Sequence, residues 1–289
     1  MIKKGFLRIA IFFLHLISLL PLWLLFGISN ISYYLVYYIV KYRREVVRKN
    51  LVNSFPEKNL TEIIAIEKRF YHYLTDLMVE IIKMSSISKA EVLKRVKMKN
   101  FDRVEAYFQK GESALACCGH YGNWELGTMA CGLKFSIAPH VIYKPINNKI
   151  FEEWFNKLRT KFGNVFIPMR QTLREVIATK DKPTLFCFAS DQSPMVIDVQ
   201  HIIQFMHQPT SVLLGLEKIA KQTNRPVFYF DVTRVKRGYY EIDCVPLCLN
   251  PDATEDHEIT ELFFKHLTKS IQKAPEYWLW SHNRWKSNG

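Results

Sequence analysis

The chain predicts an α/β fold, a central mixed sheet flanked by helices and preceded by an apolar N-terminal segment. Two patterns carry that expectation. From residue 114 onward, short apolar runs alternate with stretches of helical period, as expected of strands covered by helices. Ahead of them, residues 9–40 contain no Asp, Glu, Lys or Arg and only His15 as a titratable base. Taken in order, Phe6 to Ile28 reads as one transmembrane helix, since a span needs about 20 apolar residues. Thr61 to Met84 has helical period, and Lys89 to Phe108 reads as a pair of short helices. Strand-like runs follow at Ala114–Cys118, His140–Tyr143, Val165–Ile167, Thr184–Ala189, Val227–Val235 and Tyr239–Val245. Helical patterns fall at Trp124–Leu133, Lys149–Lys161, Arg170–Thr179, Ser211–Gln222 and His257–Lys273. Arg237-Gly238 is the one hairpin turn, so the last two strands are expected to be antiparallel. No repeat or low-complexity linker divides the chain, giving an apolar anchor over residues 1–40 and one further domain over 41–289.

Charge narrows the partners. Forty Lys and Arg against 27 Asp and Glu leave a net +13, which calls for an anionic partner such as nucleic acid, membrane phosphate or an acidic protein. The apolar N-terminus selects the membrane, and the basic residues lack a nucleic-acid-binding motif, so no nucleic acid is expected. The stretch is too long for a cleaved signal peptide and has no small-x-small cleavage site at its end. Lys41, Arg43, Arg44, Arg48 and Lys49 follow it, against Lys3, Lys4 and Arg8 before it, which favours a cytoplasmic body. Tyr33, Tyr34, Tyr37 and Tyr38 suit headgroup depth, and a second partial span or an in-plane helix are the alternatives to the single span. The six cysteines lack zinc-site spacing, and neither a Walker loop nor a dinucleotide fingerprint occurs, so no metal and no cofactor are expected.

The chemistry concentrates in Gly119-His120-Tyr121-Gly122-Asn123-Trp124-Glu125, directly after the buried run Ala114–Cys118. Glycines 119 and 122 permit a tight loop, Asn123 is a fair N-cap, and a helix leads away from Trp124. On one helix, His120 and Glu125 would diverge by about 140°. With the His in the loop and the Glu in the first helical turn, the two side chains can meet. A carboxylate holding an imidazole in one tautomer makes a general base. For the isolated pattern a core histidine beside a helix-capping glutamate is the commoner explanation, and the strand-loop-helix setting and Gly-rich surroundings shift the balance.

This block resembles the catalytic motif of the bacterial lipid A late acyltransferases, the lauroyl/myristoyl branch of the lysophospholipid acyltransferase superfamily. Further blocks follow in that family's order across nearly the whole chain: Arg48-Lys49-Asn50-Leu51 with Phe55-Pro56-Glu57, Tyr143-Lys144-Pro145 with Asn147-Asn148, Asp191-Gln192, and Pro275-Glu276-Tyr277-Trp278-Leu279-Trp280 with His282, Arg284, Trp285 and Lys286. After Phe205 the chain departs from the pattern, reading Met206-His207-Gln208-Pro209-Thr210 where the family commonly has a Gly. The resemblance implies a glycerolipid-acyltransferase-like sheet and transfer of a fatty acyl chain from acyl carrier protein to a hydroxyl of an anionic lipid A precursor. It also implies an enzyme at the bacterial inner membrane with its catalytic domain facing the cytoplasm.

In that reading His120 is the base, Glu125 its orienter, and Arg159 a phosphate or oxyanion contact that the family pattern also marks. Gly122 and Asn123 sit on the substrate side of the loop. Lys144, Arg170 and Arg174 are candidate headgroup contacts, with a solvated helix face the alternative for the last two. Asp191-Gln192, ending a strand, fixes Arg159 or the acceptor sugar, or is turn chemistry. Trp278, Trp280 and Trp285 form an aromatic ledge at the membrane interface with Arg284 and Lys286 on phosphate, or the tryptophans pack on the sheet. Two rivals use the same features differently: an acyltransferase acting on a glycerol lipid, and a non-enzymatic basic membrane-binding protein.

Overall fold

Proline decides how the N-terminal apolar segment folds in the computed structural model, which describes residues 2–194 and 201–285. Helix α1 (Ile2–Ser18) ends before Leu19, and Pro21, with no N–H to continue the ladder, is the N-cap of α2 (Leu22–Tyr34). Helix α2 runs on through a π-helical turn, Leu35–Ile39. The single helix expected over 6–28 is therefore two helices, and the stretch long and apolar enough to cross a membrane is Leu22–Ile39.

Helix α3 (Arg44–Ser54) leads to α4 (Leu60–Lys83), which opens on a reciprocal capping box between Asn59 and Glu62. Helix α5 (Lys89–Arg95) is capped by Ser88. Strand β1 (Val96–Lys99) and α6 (Asp102–Gln109) follow. The α/β body continues as β2 (Ala114–Cys118), α7 (Trp124–Lys134), β3 (Pro139–Tyr143), α8 (Lys149–Arg159) and β4 (Val165–Pro168). Next come a 3₁₀ turn at Met169–Gln171, α9 (Thr172–Ala178), β5 (Leu185–Ala189), β6 (His201–Phe205), β7 (Gln208–Val212) and α10 (Gly215–Thr223). Strands β8 (Val227–Lys236) and β9 (Tyr239–Cys248), with α11 (Glu258–Lys273), complete the order.

Seven strands form the central sheet in the order β1-β9-β8-β2-β5-β3-β4. Strands β8, β2, β5, β3 and β4 are mutually parallel. Strand β9 runs antiparallel to β8, as the hairpin turn predicted, and β1 pairs parallel to β9. The sheet is thus mixed and flanked by helices, as expected. Its middle strand β2 is apolar throughout because both faces are covered. Leu115 and Cys117 point into the core shared with α10, α11 and the C-terminal tryptophans, while Ala114 and Ala116 face the core built from α5, α6 and α7.

Two features escaped sequence reasoning. Val-Lys-Met-Lys at β1 alternates with charge on a sheet edge, so it lacks the apolar run that marked the buried strands. The β6–β7 hairpin was not anticipated, and its last two residues, Ser211 and Val212, open the run that reads as a helix from Ser211. Its two-residue turn, Met206-His207, is the departure from the family pattern, and both residues sit at positive φ, 49° and 61°. Left-handed backbone costs a side-chain-bearing residue about 1–2 kcal/mol. His207→Gly is therefore expected to raise stability by on the order of 1 kcal/mol, read as a higher urea midpoint at unchanged slope.

Candidate active site

Carboxyl ends of parallel strands gather ligand-binding groups in open α/β sheets. Here β2 delivers His120 and its neighbour β5 delivers Asp191 to that edge. The imidazole Nδ1–H donates to Asp191 Oδ1 at 2.6 Å, and the His120 backbone N–H donates to Asp191 Oδ2 at 2.9 Å. Trp278 Nε1–H supplies a third donor to the carboxylate at 2.8 Å. Because an ionised carboxylate only accepts, Nδ1 carries the proton and Nε2 keeps its lone pair. The Gln192 amide donates to that lone pair at 3.1 Å.

Burial disfavours the charged imidazolium, but the charge and hydrogen bond of Asp191, with Glu125 nearby, outweigh it and raise the His120 pKa above 6.5. Burial likewise pushes the Asp191 carboxyl up, yet His120 and the Trp278 hydrogen bond bring it down to about 2. The result is a charged, fully accepting carboxylate behind the imidazole.

The carboxylate on His120 is thus Asp191, not Glu125. Glu125 lies in the first turn of α7 and forms a two-pronged ion pair with Arg159, through Nε at 2.8 Å and through Nη2. The guanidinium also lies over the Phe155 ring, 3.9 Å from its centroid. Two of its three nitrogens are therefore committed to Glu125. Arg159 is not free to act as an isolated phosphate ligand.

The loop between the two charge pairs is held from outside. Gly122 N–H donates to the Tyr277 carbonyl at 3.0 Å, and Leu279 N–H donates to the His120 carbonyl at 3.1 Å. This clamp takes the Gly122 amide out of any substrate-binding role. Asn123 is wholly buried. Its carbonyl oxygen caps Leu126 N–H at 2.8 Å and its amide donates to Glu80 at 2.6 Å, so it shapes the start of α7 rather than touching substrate. Gly122 has φ +60°, and an added Cβ would meet Val232 Cγ1 at 2.6 Å. Gly122→Ala is expected to destabilise the fold by about 1–3 kcal/mol through strain and overpacking, read as a lowered urea midpoint.

A sequence model of the bacterial lipid A biosynthesis acyltransferases matches residues 2–287. The chain belongs to that family. Among curated relatives, the lipid A biosynthesis palmitoleoyltransferase of Escherichia coli (strain K12) is 22% identical over 252 residues, covering 86% of this chain and 80% of the relative. The lipid A biosynthesis acyltransferase of Shigella flexneri matches with the same identity and coverage.

In this family member, the C-terminal block serves the interior. Trp278, Trp280 and Trp285 are buried, and Trp285 Nε1–H donates to Thr210 at 2.7 Å, so they form no exposed ledge. Arg284 is 2% exposed and donates to the Ser211 carbonyl at 2.6 Å, which removes it from the surface phosphate contacts. Lys286 lies outside the described residues. His282, which sequence reasoning left without a role, accepts from Ser193 N–H at 3.2 Å. Burial drops its pKa to about 4, so it is neutral and holds the Asp191-Gln192 loop as an acceptor. The signal for Trp278 and His282 was the density of the terminal block itself.

Lys144 and Arg170 are exposed, and they follow β3 and β4 on the same sheet edge as His120. Counting strands outward from β2, they stand roughly 10 and 14 Å along that edge. Arg174 is exposed on α9. Cys117 is buried in β2, and burial pushes the neighbouring Cys118 thiol up to about 12. Neither offers a thiolate at neutral pH.

Proposed function

We propose that the protein transfers a fatty acyl chain from an acyl carrier protein thioester to a hydroxyl of an anionic lipid A precursor. The observation that carries this reading is the His120–Asp191 pair, with the imidazole lone pair turned toward Gln192 rather than into the core. The acceptor hydroxyl displaces the Gln192 amide and donates to Nε2. As Nε2 takes the proton, the oxygen attacks the thioester carbonyl and the tetrahedral oxyanion forms. The C–S bond then breaks, the ester remains on the acceptor, and the carrier thiolate takes the proton back from His120. Gln192, freed from Nε2, becomes a donor for the sugar or the oxyanion.

The basic residues divide the substrate between them. Lys144 and Arg170 extend along the cleft edge and suit the phosphates of a glycolipid headgroup. The Glu125–Arg159 pair fixes the wall between His120 and α8 and contributes the Arg159 nitrogen left uncommitted. No acyl-enzyme is needed, because the attacking group belongs to the acceptor. The +13 charge steers the acidic carrier protein to the enzyme. Residues 1–40 hold residues 41–289 at the cytoplasmic face of the inner membrane.

Purified protein incubated with acyl-loaded carrier protein and a lipid A precursor is expected to add one acyl chain, read by mass spectrometry of the acceptor. A deletion strain is expected to show lipid A lacking that chain. Intact lipid A together with a missing chain on a glycerol lipid would overturn the acceptor assignment.

A further inference from the structure

We infer that α1 and α2 lie in the plane of an anionic bilayer surface, docked on the catalytic domain, and that the chain does not cross the membrane. This rests on the membrane association proposed above. The decisive feature is a polar lock at the midpoint of the Leu22–Ile39 stretch. Ser29 Oγ–H donates to Asp76 of α4 at 2.7 Å. Arg237, at the tip of the β8–β9 hairpin, donates to the Phe26 carbonyl at 3.2 Å and to Asn30 Oδ1 at 2.7 Å, and also pairs with Asp76. Arg234 of β8 pairs with the same carboxylate at 2.8 Å. A helix standing upright in hydrocarbon would carry this charged cluster, and the sheet hairpin attached to it, to the middle of the bilayer.

Helix α4, against which α2 packs, cannot accompany it there. It carries Glu62, Glu67, Lys68, Arg69, Asp76, Glu80 and Lys83. The two faces of α2 are sorted accordingly. Leu22, Leu25, Ser29 and Tyr33 are buried against the domain, while Leu24, Ile28, Ile31, Leu35 and Ile39 form an exposed stripe on the opposite side. Helix α1 is fastened to the same domain: His15 bonds Ser85 at 2.7 Å, and Lys83 Nζ donates to the Ser18 and Leu20 carbonyls at 2.8 and 3.0 Å. Its outer side exposes Phe6, Ile9, Phe12, Phe13 and Leu16. Its apolar part, Gly5–Ser18, is shorter than the roughly 17 residues of the shortest spans.

The surface that remains has one apolar side, the exposed indole of Trp23, and the exposed cations Lys41, Arg43 and Lys49 at its end. That combination matches the acyl boundary and phosphates of an anionic leaflet.

Two measurements on the full chain test this. Gly5→Cys and Glu112→Cys variants in native membranes are treated with a membrane-impermeant maleimide from either face, with wild type as background. Both cysteines are expected to label from the same face, whereas labelling of Gly5→Cys only from the face opposite Glu112→Cys would overturn the inference. Nitroxides at positions 24, 31 and 39, in vesicles containing phosphatidylglycerol, are expected to report one shallow depth. A profile with position 31 at the bilayer centre and positions 24 and 39 near opposite faces, roughly 22 Å apart for the fifteen residues between them, would overturn it. So would nitroxides inaccessible to lipid-soluble relaxant because a second copy covers the face. Absence of the protein from the membrane fraction would overturn the membrane association itself.

Discussion

His120→Ala is expected to cost about 10²- to 10⁴-fold in acyl transfer while the protein still folds, because a general base is lost from a loop already clamped by backbone hydrogen bonds. The Asp191 carboxylate left behind keeps two donors, the backbone N–H of residue 120 and Trp278 Nε1–H, so its charge is not abandoned. Stability should follow the sign of the titration. A His120 pKa raised by folding contributes stability that is fully present below 6.5 and is lost as pH rises through the folded value. The stability gap between wild type and variant is therefore expected to narrow from pH 6 to pH 8 in denaturant titrations. Near-normal turnover of a folded His120→Ala protein would remove His120 from the chemistry.

The Glu125–Arg159 pair carries the second large effect, and here fold and activity separate. Glu125 is 4% and Arg159 14% exposed, so deleting either partner leaves a nearly buried charge alone. Glu125→Ala and Arg159→Ala are each expected to destabilise the protein by about 3–5 kcal/mol, with strong coupling in the double-mutant cycle. Arg159→Lys keeps the charge but cannot reproduce the planar fork, so it should fold better than Arg159→Ala and still turn over slowly. Full activity of Arg159→Lys would reduce the pair to a structural brace. Additive losses in the double mutant would show that the pairing carries no energy of its own.

What the sequence made legible follows from the range of the interactions. Strand β2 was read with its observed bounds because a strand covered on both faces is apolar at every position, a local property. His120 was legible as the candidate base for the same reason: strand, glycine loop and helix N-terminus occur within a dozen residues. Its partner was not. Asp191 is 71 residues from His120 and meets it only because β5 inserts between β2 and β3, an order that no local pattern encodes. The nearby carboxylate, Glu125, therefore took the role by proximity in sequence, although its true partner is Arg159 on α8. The same limit explains Trp278 and Arg284, whose aromatic and cationic character suggested a membrane surface until the fold placed both inside. Pro21 was visible, and its power to split the N-terminal segment was the one local signal passed over in favour of overall hydropathy.

The most direct test of the account is the pH dependence of acyl transfer to the lipid A precursor, compared between wild type and Asp191→Asn. A base must be unprotonated to act, so kcat/KM should rise with pH through the folded pKa of His120, above 6.5 in the wild type. In Asp191→Asn the largest raising influence disappears, and only the weaker pull of Glu125 is left against the burial that lowers the pKa. The acid limb is then predicted to move to lower pH while the plateau falls. An acid limb that stays where it was in Asp191→Asn, and moves instead in Glu125→Gln, would contradict the assignment of Asp191 as the group that holds the base.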